Sequence, residues 1–240
     1  MGSNNDISLK ALAKINLGLD VVRRREDGYH EVRMIMQTIH LYDRLDIKRT
    51  KESGIQIQTN LSFLPVNENN LIYKAAKLLM DEFSITDGVS VKLDKRIPVA
   101  AGMAGGSTDA AAMLFGMNRL FSLGLTKRQL MERGVQIGAD VPYCIMRGTA
   151  LAEGIGEELS PLPPMVKCPV LIAKPSISVS TKFVYQNLKL DDTTIHPDID
   201  LLIEDIKAKN LHDIAAHMGN VLETVTIPNY PVIVEIKKHM

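Results

Sequence analysis

Every odd position from Leu9 to Val21 is apolar, and this period of two predicts a strand with one buried face. The same period gathers Lys10, Leu12, Lys14, Asn16 and Gly18 on the other face, so Lys14 and Asn16 are same-side neighbours. Asp27-Gly28 within "RRREDGYH" reads as a turn and Val32 to Leu41 as a returning strand, which makes the opening a hairpin. "LDI" at 45 to 47 and "GIQIQT" at 54 to 59 are expected to continue an antiparallel sheet. The next loop ends at Asn70, a helix cap, and Leu71 to Phe83 repeats apolar residues at helical spacing. "GVSVKL" then alternates as a strand.

Farther along, Thr126 and Gln129 form a capping box for a helix through Val135, followed by an irregular "GADVP". "GTALAEGIGEEL" is rich in strand signals, "PVLIA" reads as another strand, and a helix starts near Ser180-Thr181. Amphipathic helices are expected at Asp200 to Lys209 and at Leu211 to Glu223. Pro161 to Pro164 is the expected junction between a domain of residues 1–163 and one of residues 164–240.

Composition narrows the function classes. The 240 residues are 45% hydrophobic and 23% charged, ordinary globular values. Basic and acidic residues both number 28, so the broad basic surface of a nucleic-acid binder is missing. Cys144 and Cys168 follow no metal-ligand spacing and are read as reduced, which places the chain in the cytoplasm. The start has no apolar core of a secretory signal, and its first few residues read as added ahead of the native start. The sequon at Asn60 is accordingly expected to be silent. Ile97 to Asn118 resembles a membrane span with a single charge, Asp109, but Pro98, the glycines and Ser107-Thr108-Asp109 would set polar groups at mid-membrane.

That segment, "PVAAGMAGGSTDAAAML", changes at Ser107 from a glycine-rich loop to an alanine-rich helix packed through Met113, Leu114 and Met117. A strand, loop and helix in this order suit a phosphate chain, because glycines let backbone N–H groups converge and the helix start adds partial positive charge. A tight turn packed by small residues has the same composition. Neither G-x-x-x-x-G-K-[ST] nor G-x-G-x-x-G occurs, so a phosphate cradle here relies on backbone and hydroxyls. Asp109, in the first helical turn, either points away from the loop or reaches toward a metal.

With "ALAKINLGLDV", "DGYHEVRMIMQTI", "GADVPYCI" and "GTALAEGIGEEL", this loop resembles the GHMP small-molecule kinases over nearly the whole chain. Met103, Ala104 and Thr108 stand where that family usually has leucine, glycine and serine, and no S-G-S-G-P motif occurs before the chain stops at Met240. The resemblance implies an α+β fold of two domains, ribosomal-protein-S5-like and then ferredoxin-like, the second incomplete. It implies ATP with Mg2+, no metal held by the protein alone, and no nucleic-acid or membrane partner; it leaves oligomeric state open. The reaction implied is phosphorylation of the 2-hydroxyl of cytidylyl-methylerythritol on the non-mevalonate route to isoprenoids. The rivals are another small-alcohol kinase of the family, such as a homoserine or mevalonate kinase, and a nucleotide-binding module without catalysis.

The resemblance also assigns residues. Pro98, Val99, Ala100, Ala101, Gly102, Met103, Ala104, Gly105, Gly106, Ser107 and Thr108, with Asn70, would meet ATP. Asp140 would accept the hydroxyl proton and Lys14 would partner it, an ammonium that also offsets charge on the moving phosphoryl group. Taken singly, Asp140 reads as a turn aspartate before Pro142 and Lys14 as a solvated strand lysine. Asn16 would bind a substrate hydroxyl, and Tyr29 and His30 would hold the cytosine by stacking and hydrogen bonds. Thr181 and Tyr185, one helical turn apart, would line the substrate pocket; singly they read as an N-cap and a packing aromatic. "HEVRM" carries Met34 where H-E-x-x-H needs its second histidine, which excludes that zinc motif.

Overall fold

The computed structural model describes residues 5–240, so the reading of the first few residues as added lies outside the described residues. The chain divides into two compact units, one comprising the chain through Lys14 with Thr38–Arg147, the other Ile15–Gln37 with Gly148–Met240. The opening hairpin is there, as strands β1 (Asp6–Arg24) and β2 (His30–Thr50), and each is long enough to enter both units. Its turn places Gly28 at φ 85°, a conformation that glycine adopts without a Cβ penalty.

In the first unit, β2 pairs antiparallel with β4 (Gly88–Asp94), setting Leu45 opposite Leu93 and Ile47 opposite Val91, all buried. Leu45 to Ile47 is thus part of β2 itself. Strand β3 (Ile55–Thr59) pairs with β4 in parallel, where an antiparallel continuation was expected. Alternation fixes which face of a strand is buried and says nothing of its neighbour; with β4 beside β2, β3 takes the outer edge and runs alongside β4.

Helix α1 (Leu71–Glu82) starts where its cap predicts, with Asn70 Oδ1 accepting from Ile72 N at 2.9 Å. It packs on α2 (Gly105–Leu120), which begins two residues before the predicted Ser107 because Ala104, in the left-handed region, turns the chain into the helix. Ala110, Met113, Leu114 and Met117 of α2 are buried, and Gly116 lies so close to Ile47 that a Cβ would collide with it. This small-residue stripe is therefore helix-to-sheet packing, and no helix among the described residues is long and apolar enough to cross a membrane. The Thr126–Gln129 capping box opens α3 (Lys127–Gly134) as its spacing predicts. "GADVP" instead carries the start of a short helix, α4 (Val141–Met146), with Asp140 at its N-cap and Pro142 in its first turn, a position that needs no N–H donor.

In the second unit, β2 pairs with β5 (Thr149–Glu153), and β5 with β6 (Glu158–Pro161). Helices α5 (Thr181–Asn187), α6 (Ile199–Ala208) and α7 (Leu211–His217) follow. Ile199, Leu202, Ile206 and Ile214 bury themselves with Leu17 and Ile35. The helix expected to reach Glu223 stops at His217, because β7 (Gly219–Asn220) pairs in parallel with Gly18 and Leu19 of β1. Helices α8 (Glu223–Asn229) and α9 (Val232–His239) end the chain described here.

Two expectations meet a different structure here. The Pro161 to Pro164 segment lies inside this second unit, since Leu162 N donates to Thr149 O at 2.9 Å and Leu162 and Met165 pack on its core. "PVLIA" forms no strand: Leu171 is 74% exposed, and among the described residues no strand lies beside residues 169–173 to take their backbone hydrogen bonds.

Candidate active site

The first unit brings Lys14, Asp140 and the glycine-rich loop together. Lys14 sits on the polar face of β1 yet is only 5% exposed, and its N–H donates to Met103 O in the loop at 3.2 Å. That bond fixes the lysine backbone against the loop, and its Nζ lies 3.9 Å from Asp140 Oδ2. Asp140 is held by the turn before α4, where Val141 N donates to Gly138 O, and its own carbonyl accepts from Cys144 N. Its side chain makes no cap bond to the helix, which leaves the carboxylate turned toward the lysine.

The loop reaches α2 through left-handed residues Ala100, Gly102 and Ala104, at φ 54°, 68° and 54°. For the two alanines this costs on the order of 1 kcal/mol each. The first bond of α2 joins Thr108 N to Ala104 O, so the N–H groups of Gly105, Gly106 and Ser107 lack partners within the helix and carry its positive end. Val99, Ala100, Gly102 and Gly106 are exposed, while Met103 and Thr108 turn inward, at 5% and 2% exposure. Those two side chains brace the loop from beneath. Asn70 caps α1 with its oxygen, and its Nδ2 donates to Pro65 O.

Under the loop lies a buried ionic cluster that the sequence reading missed. Lys95 Nζ pairs with Asp43 and, at 2.8 Å, with Asp109 Oδ2; all three residues are buried. Asp43 Oδ1 also accepts from the N–H groups of Arg96 and Ile97, which lead into the loop. A Cβ on Gly105 would lie 2.8 Å from Lys95 Nζ, so glycine lets the helix start rest on the ammonium. Asn60, the sequon residue, grips the Lys95 backbone from both sides, through Lys95 N to Asn60 Oδ1 and Asn60 Nδ2 to Lys95 O. Asp109 thus points away from the loop into this cluster, the first of the two orientations open to it. The signal was there to read: Lys95 continues the buried parity of Val89, Val91 and Leu93, and Asp43 that of Leu45 and Ile47.

Asp109 Oδ1 has no hydrogen-bond partner. Burial pushes this carboxyl up to about 8; Lys95 pulls against that and Asp43 reinforces it. From the unfolded value near 4 up to about 8 the folded chain therefore binds a proton that the unfolded chain has released, and stability falls as pH rises through this window. Asp109→Asn should remove that slope, so the unfolding free energies of wild type and variant, read from urea titrations, should diverge by about 1.4 kcal/mol per pH unit between about pH 5 and 7. Parallel curves would show that Asp109 does not titrate there.

The second unit pairs His30 with Tyr185, their ring centroids 5.1 Å apart and tilted by 40°. Burial, reinforced by Arg24, lowers the His30 pKa, which favours a neutral ring able both to accept and to donate a hydrogen bond. Tyr29, on the hairpin turn, is 61% exposed. Thr181 opens α5 but is not its cap, since Ser180 Oγ accepts from Phe183 N. Asn16 is half-buried on β1.

Residues 70–148 match the model of the GHMP kinases N terminal domain. The chain is 63% identical over 234 residues to the 4-diphosphocytidyl-2-C-methyl-D-erythritol kinase of Lachnospira eligens, covering 98% of this chain and 81% of that one. With the enzyme of the same name from Lachnoclostridium phytofermentans the identity is 61%, over 96% and 79% of the two chains. A crystal structure of 4-(cytidine 5'-diphospho)-2C-methyl-D-erythritol kinase superposes with a TM-score of 0.77 at 32% identity, covering 96% of this chain and 81% of that one. Homoserine kinase from Cytophaga hutchinsonii shares the fold alone, with a TM-score of 0.64 at 15% identity, over 92% and 73% of the two chains.

Proposed function

The chain belongs to the 4-diphosphocytidyl-2-C-methyl-D-erythritol kinases, and from that membership we propose how its residues divide the work of the reaction. The γ-phosphoryl group of ATP passes to the 2-hydroxyl of 4-(cytidine 5'-diphospho)-2-C-methyl-D-erythritol, a step of isoprenoid synthesis. A homoserine or mevalonate specificity has only a shared fold behind it, at 15% and 14% identity.

The observation that carries the assignment of roles is the 3.9 Å pair of Lys14 and Asp140, with the lysine backbone bonded to the loop. A tertiary alcohol is a poor nucleophile while neutral, so a carboxylate placed to accept its proton lowers the barrier. Asp140 is that acceptor. The Lys14 ammonium orients the carboxylate and stabilises negative charge as the phosphoryl group moves. The backbone from Pro98 through Ser107, exposed at Val99, Ala100, Gly102 and Gly106 and half-buried at Ala101, receives the phosphate chain, and the free N–H groups of α2 point their partial charge at it. Asn70, capping α1, stays among the ATP contacts.

Magnesium fits this site as a companion of the nucleotide. It takes phosphate and water oxygens with few protein ligands, and Asp109, the nearby carboxyl, is engaged by Lys95. When bound it neutralises phosphate charge. The cytosine lies with Tyr29, His30 and Tyr185, its face against a ring and its edge toward the neutral imidazole. Asn16 and Thr181 bind the rest of the substrate. The cytoplasm, where thiols such as Cys144 and Cys168 stay reduced, is the compartment we assign.

ADP release tests the whole reading: it should depend on the cytidylyl alcohol, and release that ignores the alcohol would overturn it. In the same assay Tyr29→Ala should weaken substrate binding by roughly 1–3 kcal/mol and leave the KM for ATP near its original value. Equal losses for both ligands would return Tyr29 to a folding role.

A further inference from the structure

A cavity of about 420 Å³ opens in the first unit, and none of the residues assigned above to ATP or to catalysis lines it. Its floor is apolar and made of small side chains, Ala111 and Ala112 of α2, with Leu130 of α3 and Ile145 of α4 beside them. The volume falls in the range of pockets that bury small organic ligands.

Three cations border this apolar space: Lys10, Lys127 and Arg147. Among the described residues none of them forms an ion pair with a carboxylate. The Lys10 ammonium lies over the Tyr42 ring at 4.5 Å, Lys127 Nζ donates to Met146 O at 2.7 Å, and Arg147 Nη2 donates to Lys10 O at 3.2 Å. Elsewhere Arg33, Arg49 and Arg133 each hold a carboxylate. Arg147 also stands at φ 62° and ψ 176°, a backbone region that is glycine's almost alone, so the fold holds this side chain at the cavity against local strain. An apolar floor under unpaired cations is complementary to a molecule that is greasy at one end and negative at the other.

We propose that this cavity binds an amphiphilic anion, a medium-length alkyl chain bearing a carboxylate, with the chain over Ala111 and Ala112 and the head between Lys127 and Arg147. Neither a bare anion nor a neutral alcohol satisfies both parts of the lining.

Decanoate tests this, with decan-1-ol and acetate as the neutral and chainless controls, by calorimetry and by the methyl NMR signals of alanine. Decanoate should bind one to one and shift Ala111 and Ala112, at least tenfold tighter than either control. Saturating ATP should leave its affinity unchanged. Lys127→Gln combined with Arg147→Gly should weaken it at least tenfold; glycine at 147 suits the backbone there, so a folded variant is expected, and Lys127→Gln alone should still weaken it. Absence of saturable binding, displacement by ATP, or equal affinity in the charge-removing variants would each overturn the proposal.

Discussion

Asp140→Asn will fold and bind ATP as the wild type does, and its turnover will fall on the order of 10²-fold or more, the scale of one positioned proton-transfer group. The substitution keeps size and hydrogen-bonding capacity while removing the charge and the proton acceptor. The carboxylate makes no cap bond to α4, so the helix start does not depend on it. Lys14→Met should also cripple turnover, and the double variant should fall little further, because two groups acting as one unit are not additive. Single-turnover rates with saturating ATP and alcohol would read this. Independent, multiplying losses would restrict Lys14 to phosphate binding, and near-normal turnover in Asp140→Asn would remove Asp140 from the chemistry.

The largest expected loss of stability comes from Lys95→Met. It leaves the Asp43 carboxylate, beside the protonated Asp109, in a buried space without its counter-charge. Removing one partner of a buried ionic group costs about 3–5 kcal/mol, and here the loss reaches the loop, since Arg96, Ile97 and Gly105 all rest on the cluster. Adding Asp43→Asn to Lys95→Met takes away the stranded charge while keeping an oxygen for the Arg96 and Ile97 N–H groups, and should recover part of the stability in urea unfolding. Additive losses in the double variant would mean that Lys95 and Asp43 do not act together.

Local signals carried much of the fold. The alternation at Leu9 to Val21 located β1, the Asn70 cap started α1, and Thr126 with Gln129 opened α3. Each of these depends on neighbours within a few residues, so the sequence displays it directly. The same reading passed over α4, although Pro142 in its first turn is a helix-start signal.

Of the candidate site, the motifs that carry the family resemblance hold both Lys14 and Asp140, which the fold brings to 3.9 Å. They could not show that Met103 and Thr108 turn inward, nor that His30 meets the ring of Tyr185 far along the chain.

By itself, then, the sequence determined the strand faces and the helix caps, because periodicity and capping are set by short stretches of backbone. Only the tertiary structure decided that β3 runs parallel to β4, that "PVLIA" stays unpaired, and that Asp109 pairs with Lys95. Those outcomes turn on partners distant in the chain: Lys95 meets Asp43 across 52 positions and Asp109 across 14. A charge at a buried parity is affordable only when folding delivers its counter-charge, and no local pattern records which residue that will be.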